Sequence, residues 1–546
     1  MKRLIVGYLI LGASLLSAAE LPPRPKLVVG IVVDQMRWDY LYRFKDRYGA
    51  GGFNRLFDEG FSCDGTSINY LPTVTAVGHT SIYTGSVPAI HGISGNDFII
   101  QATGKRAYCV GDETVKTVGG GAEGSGRFSP RNLLVDTIGD ELKLATNFRS
   151  KVIGVALKDR GAILPAGRTA DAAYWFDDYS GRWVTSTYYR NALPAWAEAF
   201  NARRLPDDYL SKKWEPLYPV ETYVQSVENE NPYERSFGLD GDNRFPLDLA
   251  AISKADPKPY STLRPTPWGD VLTLEFAKAA VTGEKLGAGT QTDFLAVSLS
   301  SPDAAGHLFA TNSPRMEDHY LRLDHELADF FTWLDQQVGA GNYLVFLTAD
   351  HGGAHNARFL ADHKLQGGVW NTKAEVGALN AELERRHQVA NLVLDIDNYR
   401  VCLNEPVIRA KGLDEKALRR DCVRFLQGRE GVAFAVDIDE AAAAPLPALL
   451  RERIINGYYP ATSGPVQVIL QPGWYAGPAG GTTHGTWNPY DSHIPLIWMG
   501  LKIRHGSSAR AVNITDIAPT LAALLKIQAP NGCVGEAINE VISEAK

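Results

Sequence analysis

The run Leu27-Val-Val-Gly-Ile-Val-Val33, followed directly by Asp34, is unbroken apolar chain ending in a carboxylate. A strand with one wet face alternates polar and apolar residues. An uninterrupted Val/Ile/Leu run instead belongs in a sheet covered on both faces, which means parallel strands flanked by helices. The same device recurs three times. Val152-Ile-Gly-Val-Ala-Leu157 runs into Lys158-Asp159-Arg160, Phe294-Leu-Ala-Val-Ser-Leu299 into Ser301-Pro302-Asp303, and Tyr343-Leu-Val-Phe-Leu347 into Asp350-His351-Gly352-Gly353. The expected fold class is α/β, a three-layer αβα sandwich around a mostly parallel central sheet. Ligands bind such sheets at the carboxyl ends of the strands, and all four runs deliver ionisable residues there.

Helices are expected between the strands. From Met316 to Val338, apolar residues recur near helical spacing, a stripe that reads as plain core. Val466 to Leu470 and Pro495 to Met499 read as further strands, and Thr515 to Leu525 as a helix on the sheet. Two stretches break the alternation. One, about 164–289, is rich in Trp, Tyr, Pro and Asp and reads as a cap over the active site. The other, about 365–464, mixes helix and strand signals and reads as a smaller subdomain, with Glu382 to Arg386 a solvated helix face.

A second decisive stretch is Pro72-Thr-Val-Thr-Ala-Val-Gly-His-Thr-Ser-Ile-Tyr-Thr-Gly85. Pro72 and the β-branched residues Thr73 to Thr75 favour extended chain, and Gly85 closes an Ala-containing segment, so a helix is expected to start near Thr75. A hydroxyl there meets unpaired backbone N–H groups and the positive end of the helix dipole, a setting suited to phosphate. Thr is also a preferred N-cap, and on this stretch alone Thr75 needs no further role.

The chain has 546 residues and a formal net charge of -7, with no basic stripe, which argues against a nucleic-acid binder. Lys2 and Arg3 precede an apolar run from Leu4 to Leu16, and Ser17-Ala18-Ala19 supplies small residues before Glu20. Residues 1–19 therefore read as a signal peptide rather than a membrane anchor, since the run falls short of the roughly 20 residues a spanning helix needs. The expected product is an exported protein, periplasmic or secreted, without a stable membrane anchor. Five cysteines, Cys63, Cys109, Cys402, Cys422 and Cys533, show no CxxC spacing. Cys402 and Cys422 are near enough in sequence for a local disulfide, though buried free thiols are an equal reading.

Asp303 and His307 are four apart, on one side of a helical turn, and Asp350 and His351 are adjacent in a Gly-rich turn. Carboxylate and imidazole sets suit zinc, which takes oxygen and nitrogen ligands. Either pair alone is weak; two pairs at two strand ends, with Asp34 at a third, make a metal site the favoured reading. His79, one turn after Thr75, reads as a supporting residue rather than a ligand.

On these residues the chain resembles the alkaline phosphatase superfamily, and within it the threonine-nucleophile, phosphate-irrepressible bacterial enzymes of the PafA type. The motifs are Val-Val-Asp-Gln-Met-Arg-Trp-Asp-Tyr around Asp34, Pro-Thr-Val-Thr-Ala-Val-Gly-His-Thr-Ser from Pro72, Gly-Asn at Asn96, Leu-Lys-Asp-Arg from Leu157, Ala-Asp-His-Gly from Ala349 and Gly-Thr-Thr-His from Gly481. The resemblance implies a nucleophile at Thr75 and two zinc ions per chain. Asp303, His307 and His484 would hold one; Asp34, Asp350 and His351 with the Thr75 oxygen would hold the other. It implies phosphate contacts from Asn96, Lys158 and Arg160, and hydrolysis of small-molecule phosphate monoesters; a monomer is the expected state, though nothing in the residues fixes it. A phosphodiesterase or nucleotide pyrophosphatase of the same superfamily would share Thr75 and both zinc sites but lack the Lys158 and Arg160 pair. A sulfatase would need a Cys or Ser in a C/S-x-P-x-R context, and a non-catalytic zinc-binding exported protein would have little reason to keep a nucleophile.

Overall fold

In the computed structural model, which describes residues 24–542, the four apolar runs are neighbouring strands of one ten-stranded sheet. Across its middle the order is Tyr343–Thr348, Leu27–Val33, Asp293–Leu299, Val152–Ala156 and Ala172–Asp177, all parallel. Every residue of Leu27–Val33 is buried, so both faces of the sheet are covered there. On one side Leu496–Gly500 pairs antiparallel with both Tyr343–Thr348 and Phe61–Ser67, and Phe61–Ser67 pairs parallel with Gly506–Asn513 at that edge; Arg182–Ser186 and Thr117–Val118 extend the other side by antiparallel pairing. The signal-peptide expectation concerns residues 1–19, which lie outside the described residues.

The stretch 164–289 is not one insertion. Ala172–Asp177 and Arg182–Ser186 are strands of the main sheet, and Pro267–Glu284 is a helix packed on Asp293–Leu299 and Val152–Ala156. Aromatic residues do the work there that Val and Ile do in the other strands. Trp175 and Trp183 are buried, and Trp183 stacks on Phe276 with ring centroids 4.2 Å apart. The segment between them and that helix consists of short helices, two-residue strands and loops.

Val393–Asp397, Arg400–Leu403, Val466–Leu470 and Val432–Asp437 form a separate antiparallel four-stranded sheet, in that order. Helices Thr372–His387 and Glu415–Gln427 pack with it around Leu379, Leu383, Leu418 and Leu426. Val466–Leu470 is thus a strand, but of this second sheet. The helix Pro314–Leu334 buries the apolar stripe, and Ile517–Leu525 is the late helix. All five cysteines are free.

Candidate active site

The helix Thr75–Thr84 starts at Thr75, not before it. Its N-cap is Val74, whose side chain makes no capping bond, so Thr75 is the first helical residue and does not cap. The helix is buried along its whole length and ends at Gly85, in left-handed conformation at φ 65°. Gly78 lets it approach the strand end that carries Asp350: a Cβ there would lie 2.3 Å from the Asp350 carbonyl oxygen. Neighbouring hydroxyls are taken. Thr73 Oγ1 donates to the Thr486 carbonyl (2.9 Å), and Thr80 Oγ1 to that of Ala76 (2.6 Å). Thr75 Oγ1 instead lies 3.4 Å from Lys158 Nζ.

The strand ends bring the other candidates to this hydroxyl. Lys158 Nζ donates to Asp34 Oδ2 and to Asp303 Oδ2, each at 2.6 Å. His351 Nε2 is 3.5 Å from Asp34 Oδ1 and 3.6 Å from Asp350 Oδ2. His307 Nε2 is 3.2 Å and His484 Nε2 3.5 Å from Asp303 Oδ1, and the His351 and His484 rings stack 3.6 Å apart. Two triads, Asp34–Asp350–His351 and Asp303–His351–His484, each keep their ligand atoms within 4.8 Å of one another. His307 stands outside both triads, beside Asp303.

The donor chemistry fits metal ions. Asp34 Oδ1, Asp350 Oδ2 and His351 Nε2 are buried without a hydrogen-bond partner, although they belong to one triad. Three buried unpaired acceptors in one place are costly unless a cation satisfies them. The three histidines point the same way: the Nδ1 of His307 faces the Thr482 carbonyl (2.9 Å), that of His351 the Gly352 carbonyl (2.9 Å) and that of His484 the Thr73 carbonyl (2.7 Å). A carbonyl only accepts, so each Nδ1 carries the proton and each Nε2 keeps its lone pair for a metal.

Electrostatics favour added positive charge. Burial and the charges of Asp350 and Asp303 push Asp34 well above the usual carboxylate range, against the pull of Lys158. Asp303 and Asp350 are also buried, yet nearby histidines and Lys158 outweigh that and hold both low. Burial holds His351 and His484 below the ordinary histidine value, which keeps them neutral; His307 is raised, because Asp303 outweighs its burial.

Asn96 and Arg160 flank the helix start. Asn96 Oδ1 accepts the Ala76 N–H (2.9 Å), which leaves its NH2 group as the donor end. Arg160 opens the helix Asp159–Ala166, which packs on Thr75–Thr84. Its Nη1 donates to the Tyr108 hydroxyl (3.1 Å), its Nε has no partner, and Tyr108 in turn donates to the Asp159 carboxylate. Tyr108 and Gly78 carried no sequence signal for these roles, since each acts on a residue remote in the chain. His79 had one, its place a turn after Thr75: Nδ1 bonds the Thr75 carbonyl (2.9 Å) and lies 3.1 Å from Asp350 Oδ2, while Nε2 meets Ser298 Oγ (2.8 Å). His355 and His363 lie apart from both triads: His355 Nδ1 meets Asn312 Oδ1 (2.7 Å), and His363 Nδ1 the Phe359 carbonyl (2.8 Å).

Residues 28–491 match the model of the type I phosphodiesterase / nucleotide pyrophosphatase family. Among curated proteins, the chain is 53% identical to a "Calcium-transporting ATPase" of Myroides odoratus (96% of each chain), and 49% identical to alkaline phosphatase PhoV of Synechococcus elongatus (95% of this chain, 93% of the relative). It is 46% identical to alkaline phosphatase PafA of Elizabethkingia meningoseptica (99% of each). A crystal structure of wild-type PafA superposes with a TM-score of 0.93, covering 95% of this chain and 99% of the other at 46% identity. A second PafA structure, TM-score 0.92, carries substitutions at a Thr, an Asn, a Lys and an Arg separated by 21, 62 and 2 positions. The chain therefore belongs to the type I phosphodiesterase / nucleotide pyrophosphatase family, and within it to the alkaline phosphatases.

Proposed function

We propose that this alkaline phosphatase releases inorganic phosphate from a broad range of organic monoesters through a covalent phosphothreonine at Thr75, with two zinc ions. The observation that carries the reading is the convergence, at a helix N-terminus, of the Thr75 hydroxyl, 3.4 Å from Lys158 Nζ, with two Asp/His triads, one of which keeps three buried atoms, Asp34 Oδ1, Asp350 Oδ2 and His351 Nε2, without a hydrogen-bond partner. Further support comes from spacing: Thr75, Asn96, Lys158 and Arg160 are separated by the same 21, 62 and 2 positions as the four residues altered in the PafA variant.

Asp34, Asp350 and His351 would hold one ion and Asp303, His307 and His484 the other. A single Nε2 lone pair cannot serve both sites, so with His351 in the first, His307 completes the second. Two bound zinc ions supply Lewis acidity and charge neutralisation for in-line phosphoryl transfer. The chain itself does the rest. The helix start presents Thr75 Oγ1 to phosphorus, the Asn96 amide, Lys158 and Arg160 hold the non-bridging oxygens, and His79 fixes the Thr75 backbone. Hydrolysis of ATP, the activity in the name of the 53% identical relative, falls within this reading, because its terminal phosphoryl group has the same three non-bridging oxygens.

Export is part of the proposal, on the N-terminal signal pattern; among the described residues no helix is long and apolar enough to cross a membrane. We further propose that the protein acts as a monomer. The functional test is hydrolysis of a monoester, a diester and a sulfate ester with one leaving group. The expected order is monoester far above the other two; a diester kcat/KM equal to or above the monoester value would favour the phosphodiesterase alternative.

A further inference from the structure

Gln35 follows the triad residue Asp34 directly. It is buried and sits at φ 63°, the left-handed region that a non-glycine residue enters only when its surroundings over-determine it. From that backbone, its N–H donates to Asp350 Oδ1 (3.2 Å) and its side-chain Nε2 donates to Asp303 Oδ1 (2.6 Å). Asp350 and Asp303 belong to different triads, so one residue bridges the two. Asp350 Oδ1 also accepts the His351 N–H (3.0 Å), which leaves Oδ2 to face the triad. Space for the side chain comes from two glycines beside the ligands. A Cβ on Gly306 would lie 1.9 Å from Gln35 Oε1, and one on Gly353 3.1 Å from it.

We propose that Gln35 is a positioning residue that sets the separation of the two metal triads: its left-handed backbone orients Asp350 and its amide orients Asp303. The proposal rests on the reading of these carboxylates as zinc ligands. Hydrogen bonds to metal ligands from the surrounding shell are typically worth about 10- to 100-fold in metal affinity. Glycine at this position keeps the left-handed backbone and the N–H bond but loses the amide. Glutamate keeps the shape but replaces the donor with a carboxylate beside Asp303.

The test is competitive zinc titration of the metal-stripped full chain against a chromogenic chelator, with bound zinc counted by elemental analysis. Thermal unfolding of the zinc-free proteins serves as the folding control. Gln35→Gly and Gln35→Glu are each expected to weaken one of the two zinc sites by about 10- to 100-fold, while their zinc-free forms unfold like zinc-free wild type. Asp303→Asn serves as the reference for losing that site. If Asp303→Asn loses a zinc ion and both Gln35 variants bind two with wild-type affinity, the inference is wrong. It is also wrong if the zinc-free variants are less stable than zinc-free wild type by enough to account for the loss. Wild-type zinc binding by Asp303→Asn would instead refute the metal assignment on which it rests.

Discussion

Lys158 and Arg160 stand two apart at one strand end yet spend their donors differently. Lys158 lies between Asp34 and Asp303, while Arg160 keeps an unpaired Nε and leans on Tyr108. A monoester offers three non-bridging oxygens and two negative charges, against fewer of both in a diester, so these two cations match the monoester's surplus. Loss of one preorganised donor costs about 3 kcal/mol of transition-state stabilisation. Arg160→Ala and Lys158→Ala should therefore lower monoester kcat/KM about 100-fold, and diester kcat/KM far less; equal losses on both would remove the pair from the specificity argument. A different residue governs part of the acid stability. His91 is fully buried, its Nδ1 accepts the Ile93 N–H (3.1 Å) and its Nε2 meets Ser81 Oγ (3.2 Å), and burial lowers its pKa from 6.5 to about 3. As pH falls below 6.5 the unfolded chain takes up a proton that the folded chain refuses until about 3, so stability drops across that window and is fully present above it. His91→Gln should flatten the stability–pH curve there by up to about 1.4 kcal/mol per pH unit, read by denaturant unfolding. Parallel curves for the two proteins would rule this out.

The helix Thr75–Thr84 and the hairpin that follows it show where sequence reading succeeds. The start of the helix at Thr75 and its stop at Gly85 were legible, because Pro72, the β-branched residues and a terminal glycine act locally. Gly78 was not, because its reason is the backbone of Asp350, far along the chain. Gly78→Ala must push the helix off that strand end, and overpacking of this kind costs about 1–3 kcal/mol; the expected outcome is a lower melting temperature together with weaker zinc binding. Among the described residues the strands Asp97–Ile100 and Lys105–Tyr108 pair only with each other, and two-stranded hairpins are marginal alone. The smaller subdomain steadies this one: Arg106 pairs with Asp395 (2.6 Å) and Asp397 (3.1 Å) on its first strand. Asn96 precedes the hairpin and Tyr108 ends it, so one element supports both proposed phosphate contacts. Tyr108→Phe removes an acceptor from Arg160 and should lower monoester kcat/KM about 10- to 100-fold, as expected for one hydrogen bond to a charged group at about 1.5–3 kcal/mol. The same change in an Arg160→Ala background should have little effect; additive losses would show that Tyr108 does not act through Arg160.

Across the whole molecule, the parallel core was readable because Val/Ile/Leu runs announce strands covered on both faces. The strands Ala172–Asp177 and Arg182–Ser186 were not, since buried aromatic residues give them no such run to set them apart from the stretch around them. The candidate site divides in the same way. The carboxylates and histidines at the strand ends could be placed, but the sharing of Asp303 among Lys158, Gln35, His307 and His484 depends on elements that meet only in the fold. Ions held by the folded chain alone also stabilise it, by about 4 kcal/mol when free zinc exceeds its dissociation constant a thousandfold. Chelation should lower the melting temperature and abolish turnover, and zinc should restore both; full activity in protein shown to be metal-free would refute the two-ion site. The most direct measurement is the identity of the phosphorylated residue, by acid quench during monoester turnover followed by peptide mass analysis. The expected result is phosphate on Thr75, with Thr75→Ser still labelled and Thr75→Val neither labelled nor active; phosphate on Thr73 or Thr80, or a fully active Thr75→Val enzyme, would contradict it.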